Sequence, residues 1–149
     1  MLKLIHYFLI LGFALNGSAW QSKPSADISA DIFTYTNLFR ESKQLPPLKR
    51  HSFFDELAEK HSRNMANKKT QFGHDHFEDR NREASKKIKG LSAFAENVAY
   101  GQLTGAEVVE LWKNSSGHRK NILGNFTMIG IGVATAADGT IFYTQIFAK

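Results

Sequence analysis

The sequence contains no cysteine and only three prolines in its 149 residues. The absence of cysteine excludes disulfide bonds, thiolate zinc centres, iron–sulfur clusters and cysteine nucleophiles. The familiar catalytic signatures are also missing: there is no His-Glu-x-x-His motif, no Gly-x-Ser-x-Gly motif, no phosphate-binding loop and no dinucleotide fingerprint. Any chemistry must therefore come from polar residues that the fold brings together.

The apolar stretch at the amino terminus is too short to span a bilayer comfortably, but it is typical of an exported protein. Lys3 precedes an apolar stretch from Leu4 to Leu15, and small residues then offer a cleavage site after Ala19. We interpret residues 1–19 as a signal peptide; the alternative is a retained membrane anchor. Because no cysteine follows the stretch, a bacterial lipoprotein is excluded. Export without disulfides favours a bacterial protein that is secreted or periplasmic, with no transmembrane helix in the mature chain.

The composition indicates an ordinary globular protein, with 42% hydrophobic and 12% aromatic residues. We expect residues 20–27 to form a flexible leader and residues 28–149 to form a single domain. The net charge is +5, and part of the excess lies in one basic cluster, namely Arg80, Arg82, Lys86, Lys87 and Lys89. Since no aromatic residue interleaves this cluster, we interpret it as a solvated helix face and do not expect nucleic acid as a partner.

Apolar residues recur at helical spacing through much of the chain. Ser52 is predicted to cap one helix, with Asp55 completing a short capping box. A second capping box, Thr104-Gly105-Ala106-Glu107, predicts a later helix, and a short helix is predicted over residues 77–87 between the two.

The end of the chain is predicted to be a β-hairpin. Bulky residues alternate with Gly130 and Gly132 along residues 129–134, so one face is nearly bare and another element should pack closely on it. Asp138-Gly139 supplies the turn. Residues 141–148 carry bulk on both faces, which predicts a central strand. Residues 93–100 are predicted to form a short strand or an extended segment. Helices first and a hairpin last favour the α+β class, with helices on both sides of a small antiparallel sheet.

Glu96 is the most informative polar residue, because a carboxylate inside an apolar segment is costly to bury without partners. Histidines are natural partners, and His74 and His76 can lie on one side of an extended chain. Two imidazoles and one carboxylate also suffice to hold zinc with water in the fourth position. The alternative is a hydrogen-bonded structural cluster. His61 lies on the apolar face of its helix and is interpreted as a core or hydrogen-bonded histidine.

Five segments together carry a pattern that covers roughly residues 30–148: Ala58–Met65, Phe72–His74 with Phe77 and Arg80, Ala95–Gly101, Trp112–Leu123, and the strands Ile129–Ala134 and Tyr143–Phe147. In this order they resemble the CAP superfamily, which contains cysteine-rich secretory proteins, venom allergens and plant pathogenesis-related proteins. The fourth segment resembles the bacterial branch especially closely. The resemblance implies an α-β-α sandwich with a surface cleft.

In many members of that superfamily a His-Glu-Glu-His tetrad lines the cleft and holds a divalent metal, often zinc. Matched residue by residue, the resemblance assigns His74, Glu96 and His118 to this site. Ser115 stands where the second Glu would be, as is usual in the bacterial branch. His76, where relatives often carry a small residue, is a further candidate ligand.

The resemblance implies a secreted or cell-envelope binding module whose cleft holds zinc or another divalent cation, and whose partner is a lipid, a wall polymer or a protein. The alternative is a metal-assisted hydrolase acting on peptide, phosphodiester or cell-wall polymer, with His74, Glu96 and His118 as the candidate catalytic residues. No spare carboxylate can be placed beside the metal from the sequence, which favours the binding module. The sequence leaves the question of catalysis open.

Overall fold

The protein is described by a computed structural model over residues 25–149. The elements in chain order are α1 (Ser25–Glu41), β1 (Lys49–Arg50), α2 (Ser52–Ala66), α3 (Phe77–Lys87), β2 (Phe94–Gly101), α4 (Gly105–Asn114), α5 (Ser116–Ile122), β3 (Met128–Thr135) and β4 (Ile141–Ala148). α1 begins inside the predicted leader of residues 20–27, and the predicted signal peptide lies outside the described residues. No helix in the described part is both long and apolar enough to span a membrane.

The four strands form one sheet in the order β1-β3-β4-β2. β4 pairs antiparallel with both β2 and β3, so it is the central strand that the sequence predicted. β1 was not predicted: it has two residues, which is too short for any alternation, and it pairs in parallel with β3. The sheet is therefore mixed, with three antiparallel strands and one short parallel edge.

α2 packs directly on the bare side of β3. A Cβ atom added to Gly130 would lie 2.1 Å from the backbone carbonyl carbon of Phe54, and one added to Gly132 would lie 2.1 Å from that of Ala58. Ser62 also donates a hydrogen bond to the carbonyl of Gly132 at 3.1 Å. Only glycine permits so close an approach, which confirms that the bare face of the hairpin is covered.

The other face of the sheet is covered by α1, α4 and α5. The bulky residues of β3 point there into the larger of two core clusters, which includes the fully buried side chains of Ile32, Trp112, Tyr143 and Phe147. Helices thus lie on both sides of the sheet, and the predicted α-β-α sandwich is confirmed.

The outer edge of β2 is closed by side chains from α4 and α5. The indole of Trp112 donates to the carbonyl of Val98 at 3.2 Å, and the amide of Asn121 donates to the carbonyl of Glu96 at 3.1 Å. An open strand edge would expose unpaired backbone groups, so these bonds protect it. They also fix α5 beside Glu96.

Of the two helix caps that the sequence predicts, the structure contains one. Thr104 and Glu107 form the predicted capping box. Ser52 is not a cap, because the helix is preceded by His51 and has no side-chain cap. Asp55 instead accepts from the backbone N–H of Ile131 at 2.8 Å, which ties α2 to β3.

Candidate functional site

Glu96 is the buried centre of the site and is 4% exposed. It lies on the side of β2 that faces α2 and α3, while its neighbour Asn97 faces the opposite side because strand residues alternate. The guanidinium of Arg80 binds both carboxylate oxygens, with Nε at 2.7 Å from Oε2 and Nη2 at 2.7 Å from Oε1. His74 Nδ1 lies 2.9 Å from Oε1. Burial raises the pKa of Glu96, but the hydrogen bonds from His74 and Arg80 and the charge of Arg80 hold it below the ordinary value.

Arg80 belongs to a segment that carries the family resemblance, but the sequence did not predict its role at the site. It was assigned to a solvated basic face, yet it is 8% exposed and its side chain points inward from α3. Besides Glu96, its Nη1 donates to the carbonyl of Asp75 at 2.7 Å and lies 3.2 Å from Nδ1 of His61. Its position four residues before Ala84, which is fully buried, is the signal that marks this side of α3 as the inner one.

His61 is confirmed as a buried, hydrogen-bonded histidine on α2. An arginine only donates, so Nδ1 of His61 accepts from Arg80 and Nε2 carries the proton. Nε2 donates it to the carbonyl of Gly73 at 2.9 Å. Burial, the largest effect, lowers the pKa of His61 and keeps the ring neutral. His61 thereby holds the loop that carries His74, at a glycine whose φ is +140°.

His74 has one nitrogen bound and one free for a ligand. A carboxylate only accepts, so Nδ1 of His74 donates to Glu96, and Nε2 has no hydrogen-bond partner among the described residues. The side chain is half-exposed, whereas the carboxylate beneath it is buried. A carboxylate behind a histidine is the arrangement that orients imidazole ligands in metal sites.

His118 lies in α5, which Asn97 fastens to the sheet. The Asn97 amide donates to the carbonyl of His118 at 3.2 Å and to Gln145 Oε1 at 3.1 Å, and its oxygen accepts from Asn121 at 2.9 Å. Nδ1 of His118 is buried and has no hydrogen-bond partner among the described residues. Burial lowers the pKa of His118, and the charge of nearby His74 lowers it further.

His76 and Ser115 stand apart from this arrangement. His76 precedes α3 with a φ of 60°, and its exposed ring pairs with Asp79 at 3.1 Å instead of with Glu96. Ser115 joins α4 to α5 and brings no carboxylate.

The predicted zinc set fits only in part. Within residues 25–149, no three His, Asp or Glu side chains are arranged to hold a metal ion. Both oxygens of Glu96 are bound by Arg80, so Glu96 orients His74 and is not a free ligand. The imidazoles of His74 and His118 are the remaining donors, and zinc binding itself stays a prediction.

Comparisons with known proteins agree with this fold. The family described as "CAP: Cysteine-rich secretory protein family" matches residues 33–147. The uncharacterized protein YkwD of Bacillus subtilis is 38% identical over 79% of this chain and 46% of its own length. An extracellular protein of Bacillus anthracis containing a SCP domain superposes with a TM-score of 0.71 at 32% identity, covering 84% of this chain and 41% of that one.

A more distant solved structure shows the same fold. An outer surface protein of Borrelia burgdorferi superposes with a TM-score of 0.71 at 16% identity, covering 87% of this chain and 97% of that one. The chain therefore spans nearly all of the Borrelia protein but under half the length of both Bacillus proteins.

Proposed function

The chain belongs to the CAP, or cysteine-rich secretory protein, family, and from that premise we propose that it is an extracellular binding module in which His74 and His118 face the ligand. The observation that carries this proposal is that both carboxylate oxygens of Glu96 are already hydrogen-bonded. Both of its oxygens accept hydrogen bonds from Arg80, and one of them also accepts from His74.

A hydrolase would need a general base within reach of the reacting water. Glu96 is buried and bound on both oxygens, and Ser115 supplies no second carboxylate. His74 Nε2 and His118 Nδ1, in contrast, have no hydrogen-bond partner among the described residues, so neither must give up a bond to meet a ligand. The geometry therefore favours binding over the alternative of a metal-assisted hydrolase.

Export of the protein is supported by two observations. Residues 1–19 have the pattern of a signal peptide, and a relative 32% identical is an extracellular protein with a SCP domain. We place the protein outside the cytoplasm, either secreted or periplasmic, with a lipid, wall polymer or protein as its partner.

A divalent cation is the simplest ligand for the two imidazoles. His74 would bind it through Nε2, because Nδ1 is held by Glu96, and His118 would be the second donor. Two protein ligands are fewer than the three of a typical catalytic zinc site, so binding should be weaker than at a closed structural site.

Zinc titration of the purified chain by calorimetry tests this proposal. The His74→Ala and His118→Ala variants should each bind zinc at least about tenfold more weakly, a loss of ~1.4 kcal/mol. His76→Ala is the matched control, since His76 is exposed and pairs with Asp79, and it should bind like the unmodified chain. Absence of zinc binding, or its loss only in His76→Ala, would contradict the two-histidine assignment.

The same variants separate binding from catalysis. The zinc-loaded chain should show no hydrolysis of peptides, phosphodiesters or cell-wall polymer above the level of His118→Ala. Zinc-dependent hydrolysis that His118→Ala removes would establish the hydrolase instead.

A further inference from the structure

A second cavity lies between α2 and α3, on the other side of the Arg80–Glu96 pair from His74. Its volume is about 220 Å³, and neither His74 nor His118 lines it. We name it the α2–α3 pocket and define it by six of its lining residues: Lys60, His61, Asn64, Thr70, Arg80 and Glu83. It is therefore large enough for several water molecules or one small organic molecule.

The floor of the α2–α3 pocket is formed by buried residues whose polar groups are already hydrogen-bonded. His61 and Arg80 are both buried, and Arg80 is bound to Glu96 at 2.7 Å, to the carbonyl of Asp75 at 2.7 Å and to His61 at 3.2 Å. The floor therefore offers a fixed polar surface without a strong unpaired charge.

The walls, in contrast, carry groups with no partner in the described chain. Lys60 on α2 and Glu83 on α3 are exposed residues that line the same cavity, and neither forms an ion pair with any described residue. The hydroxyl oxygen of Thr70 is buried and unpaired. An orphaned buried hydroxyl costs free energy unless a ligand or water binds it.

We propose that the α2–α3 pocket binds a free α-amino acid. A ligand with a carboxylate and an ammonium group within one small molecule matches an unpaired lysine on α2 and an unpaired glutamate on α3 that line the same pocket. Lys60 binds the carboxylate, Glu83 binds the ammonium group, and the Thr70 hydroxyl and Asn64 amide supply further hydrogen bonds. The volume of the cavity fits one such molecule.

The first test compares free amino acids with derivatives in which one charge is blocked. Single L-α-amino acids are screened by ligand-observed NMR at about 1 mM, a concentration suited to weak binding. The N-acetyl and methyl-ester forms of the best ligand should bind at least tenfold more weakly than the free amino acid. Equal binding of the N-acetyl form would show a simple anion site and overturn the proposal, as would the failure of every amino acid to bind.

Variants of the chain provide the second test. Lys60→Ala and Glu83→Gln should each weaken binding about tenfold, whereas Lys87→Ala and Glu78→Gln on the exposed surface of α3 should not change it. Thr70→Val should weaken binding while leaving the melting temperature of the ligand-free chain equal or higher, because it removes an unpaired hydroxyl. Unchanged binding in both Lys60→Ala and Glu83→Gln would contradict the assignment. Neither result depends on the zinc titration, since His74 and His118 lie outside this pocket.

Discussion

Arg80 and Glu96 form a buried ion pair whose members depend on one another. The side chain of Glu96 is fully buried and that of Arg80 is 9% exposed. Two charges removed from water are tolerable only when each is paired and hydrogen-bonded. The bidentate geometry and the added bonds to His61, His74 and Asp75 satisfy this condition.

Removing one member of the pair should therefore destabilise the protein strongly. We expect Arg80→Leu to lower the free energy of unfolding by about 3–5 kcal/mol, because it leaves the Glu96 carboxylate buried without its cation. The double variant Arg80→Leu/Glu96→Leu should recover much of this loss. The free energies are measured by urea denaturation of the single and double variants.

Arg82 is the matched control for this experiment. It lies two residues away on α3 but is exposed and pairs only with Asp79 at the surface. Surface pairs contribute roughly 0–1 kcal/mol, so Arg82→Leu should change the unfolding free energy by no more than that. A similar loss for both arginines would show that the buried pair has no special role.

At the same scale, the sequence predicted that Glu96 is buried and partnered by a histidine, and His74 is indeed bonded to it. It did not predict Arg80. The sequence alone does not distinguish the five basic residues that lie within ten positions. Only the packing of α3 against β2 turns one of them inward. A single sequence carries no direct record of that long-range contact.

The elements are held together by close contacts between backbones as well as by side chains. α2 rests on Gly130 and Gly132 of β3, with Ser62 bonded both to the carbonyl of Gly132 and to Thr144 Oγ1 at 2.8 Å. This contact between α2 and β3 also fixes the position of His61, because His61 is adjacent to Ser62 on the same helix. The distance between α2 and the sheet thus sets the geometry of the Arg80 network.

Adding a methyl group at this contact should be costly. The Cβ atom of Gly132→Ala would lie 2.1 Å from the backbone of Ala58, so α2 must move as a whole. We expect a loss of at least about 1–3 kcal/mol, the usual range for overpacking, measured by urea denaturation.

Gly117 in α5 provides the comparison, since a Cβ added there would meet no atom within 4 Å outside the adjacent residues and the helix's own backbone. Gly117→Ala should be neutral or stabilising by up to about 1 kcal/mol, because alanine favours helices over glycine. If Gly132→Ala were as well tolerated as Gly117→Ala, the close packing of α2 on β3 would be contradicted.

The hairpin, its glycine face and the central strand were predictable from sequence because alternation and turn residues are local signals. β1 was not, since two residues of strand carry no pattern and their pairing with β3 depends on the fold around them. Ser52 failed as a cap for a related reason: Asp55, the second half of the expected box, is used by Ile131 across the sheet. Tertiary contacts decided these details.

The stability of the whole molecule depends on pH, because His61, Glu96 and His118 all have a lowered pKa. His61 and His118 are held neutral, chiefly by burial. Glu96 is held ionised, because bonds from His74 and Arg80 together outweigh its burial. In each case the pKa is lower in the folded chain than in the unfolded one, so the unfolded chain binds more protons as the pH falls. Stability therefore rises with pH wherever these groups titrate.

We expect the free energy of unfolding to fall in two stages on acidification. The first begins below about pH 6.5, the ordinary histidine value, as His61 and His118 are protonated in the unfolded chain; the second begins near pH 4.5, when the unfolded form of Glu96 is protonated. Urea denaturation between pH 8 and pH 4, with chelator present to remove metal, measures both stages. His118→Gln removes one titrating group whose Nδ1 has no partner among the described residues, so this variant should show a shallower first stage and an unchanged second one. A wild-type stability that is constant from pH 7 to pH 5 would mean that the buried histidines are not held neutral.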